Sequence, residues 1–87
     1  MPDFAVHAVH GNSNGATTAP ISATTADNAA LRAVVDGLIG TSWNEAQHGE
    51  PYVAHSGVGP IGRIRVTVAW GSGSSAGAIQ LEVEPIQ

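Results

Sequence analysis

Four histidines, His7, His10, His48 and His55, are the side chains in this sequence best suited to acid–base or metal chemistry. Their spacing works against convergence. His7 and His10 stand three apart in a stretch that reads as a strand, which puts them on opposite faces. There is no H-E-x-x-H pattern, and the chain has no cysteine to supply thiolate ligands. No metal site is expected from this pattern. Glu82 and Glu84 fall on one face of one strand, so they cannot flank a cleft as a glycosidase pair must. The serines lie in loops without a G-x-S-x-G elbow. No catalytic residue is assigned.

Two glycine-rich stretches invite a nucleotide reading. GVGPIG, residues 57–62, is a literal G-x-G-x-x-G. That pattern binds a pyrophosphate only where the glycines open a helix, whose N-terminus receives the anion. Here they run into RIRVTVAW, which alternates with period two, and Pro60 interrupts them. The stretch therefore reads as a turn feeding a strand. GSGSSAG, residues 71–77, places Ala76 where a third glycine would stand, and the chain has no lysine to hold phosphates. It reads as a hairpin connection. No cofactor is expected from either stretch.

Charge narrows the partners. Three arginines against seven carboxylates give a net charge of -4. Nucleic-acid binders need a dense cationic surface to displace counterions, so nucleic acid is excluded as the expected partner. Anionic membranes are disfavoured for the same reason. No stretch approaches the ~20 apolar residues of a bilayer span, and the N-terminus lacks the cationic start and apolar run of a signal peptide. A soluble protein without an export signal is expected, cytoplasmic or carried in a virion, with Met1-Pro2 as a native start.

The elements follow from periodicity. DFAVHAVH, residues 3–10, alternates as a short first strand. Residues 11–25 are rich in Gly, Asn, Ser and Thr and read as a flexible loop or arm. ADNAALRAVVDGLIG follows as an amphipathic helix. Its predicted apolar stripe is Leu31, Val34, Val35, Leu38 and Ile39, with Thr25 or Asp27 as N-cap and Gly40 as stop. Arg32 and Asp36 pair across one turn of its outer face. PYVAH can form a short strand, with Pro51 at its start.

A C-terminal hairpin joins RIRVTVAW to AIQLEVE. Matching apolar faces predicts Val68 opposite Ile79, Val66 opposite Leu81 and Ile64 opposite Val83. The same register puts Arg65 against Glu82 and Arg63 against Glu84, so charge and apolar patterning agree. The expected fold is α+β over a single domain, residues 1–87. It is a small antiparallel-rich sheet in the order β-α-(β)-β-β, with one amphipathic helix packed on one face. Phe4, Val6 and the helix and hairpin stripes form the core, which is thin enough to make self-association or docking into an assembly helpful.

Two local patterns carry family resemblances. WNEAQ, with Trp43, Glu45 and Gln47, follows a helix and precedes the strand VTVAW, and in this it resembles the dodecins. Those are small flavin-binding proteins of strand-helix-strand-strand order that stack flavin on a tryptophan within a dodecamer. To that plan the chain adds the 11–25 loop, the insertion before Arg63 and a further strand. The resemblance implies that Trp43 could be a stacking platform. The second functional expectation is a small-ligand module in which Trp43, Gln47 and Tyr52 line a pocket between subunits. Pro2, once Met1 is removed, looks like the N-terminal proline base of the tautomerases, which also need arginines near an anionic substrate. The leading expectation remains a non-enzymatic structural or interaction subunit of a larger assembly, packed against itself or a protein partner. A phage decoration or assembly protein is its setting by analogy.

Overall fold

The structure is a computed structural model and describes residues 1–9 and 16–86. Five strands, β1 (Asp3–Ala8), β2 (Ile21–Ser22), β3 (Tyr52–Val58), β4 (Ile64–Trp70) and β5 (Gly77–Ile86), form one sheet in the order β2-β1-β5-β4-β3. Every adjacent pair is antiparallel. A helix, α1 (Ala26–Val35), packs across one face of β1, β3, β4 and β5, and a one-turn helix, α2 (Glu45–His48), precedes β3. The class is α+β, with the C-terminal hairpin as expected.

The hairpin register is the predicted one. Val68 pairs with Ile79, Val66 with Leu81, Ile64 with Val83 and Arg65 with Glu82. β5 then takes β1 on its other side, with Val6 opposite Val83 and His7 opposite Glu82. One expected charge pair is replaced. Arg63 donates to Glu82 rather than Glu84, because β1 brings His7 within 2.9 Å of Glu84. GVGPIG closes the β3–β4 hairpin and GSGSSAG connects β4 to β5.

Helix α1 buries a face rotated from the predicted stripe, sharing Val34 with it and keeping Leu31 at its edge. Ala26, Ala29, Ala30, Ala33 and Val34 face the sheet, while Val35 and Leu38 are each 48 % exposed and Leu31 is half-buried. The alanines fall at i, i+3, i+4, i+7, the spacing of one helix face. Their small side chains let the helix lie close on a sheet that itself supplies the bulk. Phe4, Val6, Ile64, Val66, Val68, Trp70, Ile79, Leu81 and Val83 all face it.

The helix also ends earlier than expected. Thr25 Oγ1 accepts from the Asn28 amide at its start. At its end, Leu38 N–H donates to Ala33 O and Gly37 N–H to Val34 O, with Gly37 at φ +68°. That is a Schellman closure, which needs a left-handed residue. Gly37, not Gly40, is the stop. Ile39 is fully buried because the chain turns back to the core after the helix, not because it continues the helical stripe.

Residues 10–15, including His10, lie outside the described part of the chain. The rest of the expected loop carries regular pairing. Thr17 bridges to His7, the Thr18 hydroxyl accepts from the Val6 amide at 3.1 Å, and β2 pairs with β1 through Asp3 and Phe4. This segment supplies an edge that hydrophobic periodicity does not reveal, because it consists of backbone pairing around three scattered buried residues, Thr18, Ile21 and Ala23. Among the described residues no helix is long and apolar enough to cross a membrane.

Candidate functional site

The flank of α1 that carries Leu31 and Val35 meets the segment before β3. Between them is a cleft of about 260 Å³, lined by Leu31, Val35, Trp43, Glu45, Glu50 and Pro51. Short-range bonds fix its wall. Asn44 caps α2, its side chain accepting from the Ala46 amide at 2.9 Å, and its own amide donates to His48 Nδ1. Gly49 ends α2 at φ +72°, a conformation natural to glycine. That turn aims the Gly49 carbonyl at Trp43, whose indole N–H donates to it at 2.9 Å. His48 in turn packs beside Trp70, with ring centroids 6.3 Å apart.

Trp43 is thus an oriented aromatic wall of an apolar cleft rimmed by two carboxylates. Neither Glu45 nor Glu50 has a side-chain hydrogen bond or ion-pair partner among the described residues. The other two residues assigned to a ligand site are placed elsewhere. Gln47 is exposed on α2 and does not line the cleft. Tyr52 pairs with Ala69, which alternates with the core-facing Val68 and Trp70, so it lies on the sheet face away from α1. Of the three, Trp43 alone lines this cleft.

A second, shallower depression of about 310 Å³ lies near the N-terminus and includes Met1, Ser22 and Arg32. Pro2 is held there by its carbonyl, which accepts from the Ala23 amide. Arg32 is the one arginine beside it, but it donates to Ser22 O at 2.7 Å and lies 3.6 Å from Asp36. A proline base at this position would face a cation already engaged.

The open face of the sheet carries a polar row. His7 bridges Thr17 Oγ1 at 2.8 Å and Glu84 Oε1 at 2.9 Å. A carboxylate can only accept, so Nε2 carries a proton. The line of hydroxyl, imidazole and carboxylate has the order of a nucleophile relay, but neither cleft includes these residues. It ties β1 to β5 and to the Thr17 segment. Beside it Arg63 and Arg65 both donate to Glu82, each at 3.1 Å. The Arg65 guanidinium, helped by Arg63, holds the Glu82 carboxyl below the usual glutamate range against the opposing effect of burial. Among the described residues no group of three or more His, Asp or Glu could hold a metal ion.

The β3–β4 connection, read from its glycines as a turn, is also the most exposed apolar feature among the described residues. Val58 is 99 % exposed and Ile61 is 95 % exposed. Ile61 adopts φ +54°, the only non-glycine residue with positive φ among those described. No family model matches this chain, and neither a curated protein nor a solved structure is significantly similar to it.

Proposed function

We propose that this chain is a non-enzymatic interaction subunit that packs on copies of itself, or on a protein partner, within a larger assembly. The reading rests on where the apolar bulk is placed. α1 turns alanines inward and leaves Val35 half exposed in the Trp43 cleft, Leu38 is half exposed just past the helix, and Val58 and Ile61 protrude at the far end of β3. Singly scattered apolar side chains need no explanation, whereas concentrated ones beside a shaped cleft are typical of contact surfaces. A coat or decoration component is the kind of assembly that such a small, weakly charged subunit suits.

A small-ligand role is the second reading, favoured by the hydrogen-bonded indole of Trp43 in an apolar cleft. Glu45 and Glu50 would repel the phosphates of a flavin nucleotide, so a neutral or cationic aromatic fits this cleft better. Light scattering coupled to size exclusion, run from micromolar to millimolar protein, separates the readings. An interaction subunit associates beyond its 8.8 kDa monomer as concentration rises. A strictly monomeric protein whose tryptophan emission is quenched by a soluble aromatic would overturn it in favour of the ligand reading.

A further inference from the structure

We infer that the β3–β4 tip of one copy docks in the Trp43 cleft of another, making a head-to-tail interface; this rests on the self-association part of the reading above. The tip is the unusual element. Pro60 O accepts from Arg63 N–H at 3.0 Å, closing a turn whose two central residues, Ile61 and Gly62, both have positive φ. Such turns favour Asn-Gly, because asparagine tolerates the left-handed region and a β-branched side chain does not. Ile61 is therefore strained. It also points into water, so within one copy it gains no packing in return. Strain that persists without local compensation is a signature of functional positions.

The cleft complements the tip in size and charge. Its ≈ 260 Å³ equals roughly eight or nine waters, room for one sec-butyl side chain and an edge of a second. Leu31, Val35, Trp43 and Pro51 offer apolar contact, and Glu45 and Glu50 leave two unpaired carboxylates at the rim. The base of the tip carries groups of opposite sign to that rim. Arg63 and Arg65 are 30 % and 43 % exposed, and each spends one N–H on Glu82, so both guanidiniums keep donors for a rim carboxylate of another copy.

A copy cannot fill its own cleft. Pro51 lines the cleft and Val58 ends the seven-residue strand that follows it, so the two features lie roughly 20 Å apart along a rigid strand. Because the two surfaces differ, the contact is heterologous. It extends copy by copy until it closes a ring or grows as a filament.

Two variants test this on the full chain. Ile61→Asn supplies the residue the turn prefers, so its melting temperature holds or rises while the apolar knob is gone. Val35→Glu places a charge at the cleft on a half-exposed position that folding tolerates. Each variant alone should weaken association about tenfold or more, as loss of one buried anchor does, and sediment as a monomer where the wild type associates. Mixed together, they should form a 1:1 dimer, since one retains a cleft and the other a tip. Association that survives either substitution, or two monomeric variants that fail to pair on mixing, would overturn the docking mode and leave self-association standing. A wild type that stays monomeric throughout would overturn both.

Discussion

Arg65 stands directly across the sheet from Glu82 and donates its Nη2 to that carboxylate at 3.1 Å, on the face that α1 leaves open. Arg63 takes the other carboxylate oxygen, so Glu82 is only 8 % exposed although it lies on the open face. Both cations favour the ionised form, and the folded-state pKa is depressed. A depressed carboxyl contributes stability above its unfolded value, about 4.3 for glutamate, and loses it as pH falls through the folded value. Glu82→Gln should therefore unfold at lower urea than the wild type at pH 6–7. The two midpoints should converge below about pH 4. Parallel urea curves at all pH values would remove this assignment.

The alanine face of α1 makes a prediction that runs against residue size. Ala29, Ala30 and Ala33 are fully buried against the sheet, so extra methyl groups have nowhere to go. Ala30→Val should destabilise by about 1–3 kcal/mol through overpacking. Val35→Ala and Leu38→Ala, at half-exposed positions, should stay within about 1 kcal/mol, far below the 2–5 kcal/mol of a buried leucine truncation. Chemical denaturation of the three variants checks the order. A larger loss at Leu38 than at Ala30 would mean that the predicted bulky stripe is the true core face.

What the sequence disclosed divides along these lines. The hairpin was legible because two independent patterns, the Ile64/Val66/Val68 alternation and the Arg65–Glu82 pairing, demand one register. The helix was legible as a helix, but its face was not. Bulk-weighted periodicity selects Val35 and Leu38, whereas close approach to a Val- and Leu-lined sheet selects alanine. The Glu84 partner depended on where β1 lands, a pairing 77 residues apart in sequence that no local pattern encodes. In the candidate site the aromatic type of Trp43 and its place after the helix drew attention to a residue that lines the cleft. Strand parity puts Tyr52 with Ala69 on the opposite sheet face, which residue type alone does not show. Ile61 carried a readable signal, an Ile-Gly pair where a tight turn favours Asn-Gly, which matters only once the stretch is known to be a hairpin tip.

Two glycines, Gly37 and Gly77, are required for different reasons, and the same substitution should tell them apart. Gly37 lies at φ +68° with nothing within 4 Å of a Cβ placed there. Gly37→Ala should lose about 1–2 kcal/mol from backbone strain alone and leave the core untouched. Gly77 pairs with Trp70 across the hairpin, and a Cβ there would sit 2.6 Å from the indole Nε1. Trp70 is buried and borders His48, so the ring cannot yield without disturbing α2. Gly77→Ala should lose about 1–3 kcal/mol by overpacking and shift the Trp70 environment. In a Trp43→Phe background Trp70 is the only indole, because the chain has two tryptophans. Its emission should then move in Gly77→Ala and stay fixed in Gly37→Ala. Equal emission in both variants would show that Gly77 serves the backbone and not the ring above it.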